Sequence, residues 1–88
     1  MKLLAAKVAT AATNLNLGKA TAVAVYASAI TTITVKADDA TEGGTNGTVV
    51  GSITLPAGSV TVIHKDFDHF LLASVTNGTY TQIVNSGY

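Results

Sequence analysis

The feature that most constrains this chain is the alternation of β-branched and small residues with period two. In residues 30–37, Ile33 and Val35 alternate with Thr32 and Thr34, and residues 19–28 show the same period. The chain holds 14 Thr, 10 Val and 5 Ile residues, whose side chains are stiff at χ1 and fit pleated strands better than helices. The sequence therefore predicts several short strands, each with two distinct faces.

Two turn motifs predict β-hairpins between such runs. In the sequence PAG, Pro56 fixes φ at the first central position of a turn and Gly58 can adopt positive φ. The pair Asn77 and Gly78 forms an NG turn between two further alternating runs, which is a strong two-residue hairpin signal. We expect one hairpin at each motif.

The N-terminal segment fits two structures. Leu4, Val8 and Leu15 would form an apolar stripe on a helix, and alanine favours helix. Because β-branched residues follow, we expect instead a strand near residues 5–13. With six or seven short strands in 88 residues, and with no internal repeat or linker, the chain is predicted to be all-β: a small antiparallel β-sandwich or barrel forming one domain over residues 1–88.

Charge restricts the possible partners. Charged residues make up 11% of the chain, the net charge is zero and there is no arginine, whereas soluble domains average about 25% charged residues. Such a surface is typical of a chain covered by neighbouring subunits. Scattered lysines argue against nucleic acid, and no apolar run is long enough to span a membrane. Lys7 interrupts the first apolar run, so we expect the N-terminus to be retained rather than cleaved as a leader.

The segment IHKDFDHF contains the residues that most resemble a chemical site. His64, Asp66, Asp68 and His69 lie within eight residues, but a closed zinc site needs about four ligands near 2 Å from the metal, which local spacing does not ensure. We therefore predict a polar corner between two strands, in which the aspartates bond turn amides and the histidines flank the turn. No nucleophile motif is present. We expect no catalytic residues, no metal, no cofactor and no enzymatic activity.

The loop ADDATEGGTNGT is the other acidic segment. Asp38, Asp39 and Glu42 lack the spacing of a calcium loop, so we predict a solvated hairpin loop there. Asn46 and Asn77 begin N-x-T sequons, but each also precedes glycine, and the positive φ of an NG turn is sufficient to explain both pairs.

The succession ITTITVKADD, GSITLPAGSVTVIHKD and LLAS resembles small all-β virion proteins of tailed bacteriophages. The similarity covers roughly residues 7–75, and the glycine-rich loop 38–48 departs from it. The resemblance implies a capsid decoration or cement protein, assembled in the bacterial cytoplasm, that binds viral capsid or tail proteins and further copies of itself in an oligomer or lattice. A neck or tail accessory protein is the nearest alternative. A glycan-binding adhesin is a rival from another class, for which exposed aromatic residues along a groove are expected.

Large apolar residues at exposed positions are the candidates for an assembly interface. They are Leu3 and Leu4 near the start, Tyr88 at the end, and Phe67 and Phe70 at the polar corner, where Phe70 can equally belong to the core. Burial against a neighbour would contribute about 1.5 to 3 kcal/mol for each large side chain, and aromatic anchors are common in interface hot spots.

Overall fold

The structure is a computed structural model that describes residues 7–84, and within that range it contains seven strands and no helix. The strands are β1 (Val8–Ala9), β2 (Ala22–Ala27), β3 (Thr31–Ala37), β4 (Thr48–Leu55), β5 (Ser59–His64), β6 (Phe70–Ala73) and β7 (Gly78–Val84). The predicted all-β class is confirmed. Residues 7–84 include no helix with the length and apolar character needed to cross a membrane.

The strands form two antiparallel sheets that pack face to face. One sheet has the order β1-β7-β2-β5, and the other has the order β4-β3-β6. Val23, Val25 and Tyr80 from the four-stranded sheet meet Ile33 and Leu71 from the three-stranded sheet in one fully buried cluster. The predicted β-sandwich is therefore confirmed, and its core lies between the sheets.

The predicted strand faces are also confirmed. In β2, Val23 and Val25 point into the core, whereas the side chain of Tyr26 is exposed on the outer face. In β3, Ile33 is fully buried and Thr34, the next residue, is not. Alternation alone decides these orientations, because successive side chains on a strand point to opposite faces.

Both predicted hairpins are wrong, although one of the turns is right. Gly58 has φ of 81°, and the Ser59 amide donates to the Pro56 carbonyl at 3.3 Å, as a turn requires. However, β4 and β5 belong to different sheets. The Gly58 amide donates to the carbonyl of Ala27 at 2.6 Å, so the end of β2 meets the turn and β5 pairs with β2. The turn carries the chain across the sandwich instead of along one sheet.

The NG pair likewise connects two sheets, with β6 in one and β7 in the other. Gly78 does not have positive φ; it is needed because a Cβ there would collide with the Tyr26 carbonyl oxygen. A close approach of two backbones, not a hairpin turn, accounts for this glycine. At the other sequon, Gly47 has φ of 115°, so the positive-φ explanation holds there.

The first segment is extended, but its strand is shorter than predicted. Within the described part of the predicted range 5–13, only Val8–Ala9 forms a strand, which pairs with β7. The chain then leaves the four-stranded sheet and runs beside β6, where Leu15 forms a bridge with Leu71. The segment around Leu15 therefore lies along the β6 edge of the three-stranded sheet.

Candidate functional site

The longest run of exposed strand residues within residues 7–84 is in β4, an edge strand of the three-stranded sheet. It pairs with β3 on one side, and no strand within residues 7–84 pairs with its other side. Leu55 alone is buried among its residues. Val49, Val50 and Ile53 are 56%, 58% and 47% exposed, and the strand contains no charged residue. We call β4 the open edge.

The opposite edge of the same sheet, β6, is covered by residues 10–16, which we call the covering segment. The Leu71 amide donates to the Leu15 carbonyl at 2.9 Å, and the Leu15 amide donates to the Leu71 carbonyl at 2.9 Å. The Ala73 amide donates to the Ala11 carbonyl at 2.9 Å. Outward-facing backbone groups of β6 are thus satisfied within the chain, as an edge strand in water requires if it is not to pair with another molecule.

The covering segment also holds the loop between β3 and β4. Asn14 is fully buried; its amide donates to the Gly44 carbonyl at 2.7 Å, and its side-chain Nδ2 donates to the Asn46 carbonyl at 2.8 Å. The Gly43 amide donates in turn to the Asn14 carbonyl at 2.8 Å. The loop joins paired strands, as predicted, but it is docked on Asn14 and not simply solvated.

The three acids of that loop do not come together as cation ligands. Asp38 and Asp39 are exposed, and Glu42 accepts a hydrogen bond from the Asn16 amide at 2.9 Å. Glu42 therefore ties the loop to the covering segment. One carboxylate oxygen of Glu42 is thus already used in a bond within the protein.

A second apolar surface lies on the outer face of the four-stranded sheet. Tyr26, Val60 and Val62 are exposed there. Strand register places them in two rows with Ala9, Thr79, Thr81 and Ala24. None of these side chains is charged.

The polar corner between β5 and β6 is placed as predicted, but the expected bonds from turn amides to the Asp66 and Asp68 side chains are wrong: within residues 7–84 these carboxylates face His69 instead. His64 ends β5 and His69 immediately precedes β6, so the histidines flank the turn, and the His69 amide closes it on the Asp66 carbonyl at 3.0 Å. The carboxylates face the imidazole: His69 Nε2 lies 3.6 Å from Asp66 Oδ2 and 4.0 Å from Asp68 Oδ1. These three residues offer ligand atoms within 4.8 Å of one another, and His64 is not part of the group.

Lys65, between the two histidines, is the charged residue that sequence reasoning missed. Its side chain is only 7% exposed. Burial lowers the pKa of Lys65 from its ordinary 10.5 to about 8, against the opposing effects of Asp68, Asp66 and Glu42. Since desolvation disfavours the charged ammonium and nearby carboxylates favour it, the acids of the corner act first as partners for a buried cation. A second cation would have to compete with Lys65.

An open cleft of about 430 Å³ lies beside the corner. It is lined by Asn16, Lys19, Glu42, Phe67, Asp68 and Phe70. Asn16 fixes its wall, because Nδ2 donates to the carbonyls of Phe67 at 2.9 Å and His69 at 3.0 Å. The same side chain accepts from the Lys19 amide at 2.6 Å. This bond closes a turn in which Leu17, Gly18 and Lys19 all have positive φ.

The predicted interface residues fall partly in this cleft. Phe67 is 54% exposed and Phe70 is half-buried, and both line the cleft. Leu3, Leu4 and Tyr88 lie outside the described residues. Sequence reasoning missed the open edge, and absence of charge does not mark it, since β2 and β6 also contain no charged residue.

No protein-family model, no curated protein and no solved structure matches this chain. Its function has to be inferred from its own geometry.

Proposed function

We propose that this protein is a structural subunit that binds protein neighbours in a viral particle, most specifically as a capsid decoration or cement protein of a tailed bacteriophage. A neck or tail accessory protein is the nearest variant. The observation that carries the proposal is the open edge: β4 is exposed on both faces, uncharged and unpaired on one side within residues 7–84. Its mechanism is binding rather than catalysis.

The physical basis is the cost of leaving such a strand in water. The free side of β4 presents a row of backbone donors and acceptors, which is a template for strand addition by another chain. Its exposed valines and isoleucine add apolar area, and burial of such area is favourable by about 25 cal/mol per Å². Strand addition would satisfy the backbone and bury these side chains in one step.

The virion context is supported by composition and by the resemblance of the strand and turn sequence. A charged fraction of 11% with no net charge suits a subunit whose surface is largely covered, and an isolated domain of this kind would tend to associate. Neighbours in a capsid or tail are large in number and fixed in place. Weak contacts repeated over many copies then give firm retention.

The test is to incubate purified protein with particles that lack it and to measure co-sedimentation. We expect saturable binding by the wild type. Val50→Lys, on the open edge, should bind at least about tenfold more weakly, because a desolvated lysine opposes strand addition. Ala12→Lys adds the same charge to an exposed position of the covering segment and should bind like the wild type. Absence of saturable binding, or equal binding by both variants, would contradict the proposal.

A glycan-binding module is the second candidate, favoured by the cleft. Phe67 and Phe70 line it together with Asn16, Glu42 and Asp68, and aromatic faces with convergent polar groups are typical of ligand sites. The test is binding of soluble surface glycans of the host by calorimetry. This candidate requires heat of binding that is lost in Phe67→Ala, whereas the assembly proposal expects no difference between the two proteins.

A further inference from the structure

We propose that the first partner of the open edge is a second copy of this chain: β4 pairs antiparallel with β4 of another molecule about a two-fold axis at Ser52 or at one of its two neighbours. This inference rests on the proposed function, since it names one partner of the same surface. The product is a continuous six-stranded sheet with the order β6-β3-β4-β4-β3-β6.

The backbone of β4 is suited to accept a strand along most of its length. The pairing register with β3 is regular from Thr31 opposite Leu55 to Val35 opposite Gly51. It then shifts by one residue, so that Lys36 pairs with Val49. In an antiparallel ladder, alternate residues direct their N–H and C=O groups to opposite sides. The regular part of β4 therefore projects unpaired backbone groups from its free edge in a straight repeat.

The absence of charge on β4 permits a copy of the same strand as the partner. A two-fold axis places each residue near its own counterpart, so any charged residue near the axis would meet a like charge. From Thr48 to Leu55 there is no charged residue, and pairing β4 with itself brings no such repulsion. Edge strands that must stay alone usually carry lysine or proline, are very short or contain a β-bulge; β4 has eight residues and no lysine or proline, and its one irregularity, at Val49 and Val50, leaves Gly51 to Leu55 in regular register.

Self-pairing also covers the side chains that the fold leaves in water. Ile53 lies opposite Ile33 in the ladder and thus points toward the core side of the sheet, yet it remains 47% exposed. A second β4 alongside it extends the same face with an identical apolar side chain. The exposure of Ile53 follows from its place at the edge, and a neighbouring strand removes that exposure.

The first test is sedimentation equilibrium of the full chain and of two valine-to-lysine variants. We expect the wild type to form dimers. Val50→Lys should weaken dimerisation by at least about tenfold, because each edge then carries a lysine that an added strand would partly desolvate. Val60→Lys is the matched control on β5, the other exposed edge strand, and should dimerise like the wild type. A monomeric wild type, or loss of dimer only in Val60→Lys, would overturn the proposal.

The second test uses single cysteines, since the natural chain has none. A disulfide needs Cα atoms about 4.4 to 6.8 Å apart, so a cysteine at the axis should cross-link quickly under mild oxidation. We expect this for one of Gly51→Cys, Ser52→Cys and Ile53→Cys. Thr48→Cys is the control, because its two copies would lie roughly 25 Å apart along the strands. Equal cross-linking at Thr48, or none at the three central positions, would overturn the two-fold arrangement.

These tests separate the inference from the proposed function. A wild type that stays monomeric alone but binds particles overturns self-pairing and leaves the assembly role intact. A wild type that forms β4-dependent dimers but does not bind particles supports self-pairing and contradicts the particle role.

Discussion

The two edges of the three-stranded sheet are treated differently by the same chain. At β6, residues 10–16 lie alongside the strand and bond its amides. At β4, seven residues in succession are exposed, and no strand within residues 7–84 pairs with the side of β4 that faces away from β3. A protein that only needed to fold would gain by protecting both edges, since an exposed edge invites pairing with other chains.

The difference shows that residues 10–16 protect the β6 edge of the sheet and that the β4 edge has no such cover within residues 7–84. The covering segment ties β6, the corner and the β3–β4 loop together through Asn14 and Asn16, and it makes one side of the sandwich self-contained. The other side keeps unpaired backbone and uncharged apolar side chains. We interpret the covered edge as the part that stabilises the fold and the open edge as the part that binds.

The largest expected effect comes from truncating one apolar side chain near each edge. Leu71→Ala should lower the free energy of unfolding by about 2 to 5 kcal/mol, because Leu71 is fully buried beside the covering segment and truncation leaves a cavity. Val50→Ala, on the open edge, should change it by less than about 0.5 kcal/mol. Urea denaturation in dilute protein measures both. Similar losses at the two positions would mean that the open edge also belongs to the folded core.

The next effect concerns the anchor of the covering segment. Asn14→Ala removes the Nδ2 group that donates to the Asn46 carbonyl and should lower the free energy of unfolding by about 1 to 3 kcal/mol. Asn77→Ala, at an exposed side chain, serves as the control and should melt like the wild type. If Asn14→Ala is also neutral, the covering segment does not depend on this bond and the loop is held by other contacts.

The sequence predicted some of the features behind these expectations, such as the strand faces, but mispredicted others, such as the pairing of strands. Alternation correctly predicted that Val23 and Val25 share one strand face and that Ile33 and Thr34 point to opposite faces, because strand faces depend on local geometry. The pairing of strands was mispredicted at Gly58 and Gly78, since a turn motif reverses the chain but does not choose the sheet that the next strand enters. That choice is made by contacts distant in sequence, such as the bond from the Gly58 amide to the Ala27 carbonyl.

The candidate site was predictable only in part for the same reason. Asp66, Asp68 and His69 lie within four residues, and the sequence predicted a polar corner there, but not that both carboxylates would face His69. Their relation to Asn16 and Glu42 depends on how the N-terminal segment folds back over 50 residues, which no local pattern reports. The open edge is defined by the missing neighbour of β4, and only a complete set of strand pairs discloses it.

A smaller effect is expected on the pH dependence of the free energy of unfolding, because Lys65 is buried. The pKa of Lys65 is about 8 in the folded protein against an ordinary 10.5, so between these values the unfolded chain binds the proton that the folded state has released. The free energy of unfolding should therefore rise with pH in that window.

Lys65→Met should abolish this rise. Thermal melts between pH 7 and about 9.5 measure it, because this range lies below the pKa of ordinary tyrosines, which is about 10. The upper limit matters because burial raises the pKa of Tyr80, which has the opposite effect on stability at higher pH. A wild type and a Lys65→Met variant with the same pH dependence would show that Lys65 is not desolvated.

The smallest expected effect is that of zinc on the corner. Asp66 and Asp68 are exposed and already face His69, and the buried Lys65 beside them opposes a further cation. Adding zinc and then EDTA should leave the melting temperature unchanged, since a ligand that binds only the folded state must raise it. A rise of several degrees that EDTA reverses and that His69→Ala abolishes would contradict this expectation.

The measurement that tests the central claim most directly is hydrogen–deuterium exchange of the two edges, first in dilute protein and then in associated protein. We predict that Leu71 and Ala73 amides on the covered edge are protected in both states, because their acceptors lie within the chain. Alternate amides of β4 should exchange rapidly in dilute protein and become protected on association. If the β4 amides are protected already in dilute protein, or remain unprotected after association, the open edge is not the binding surface.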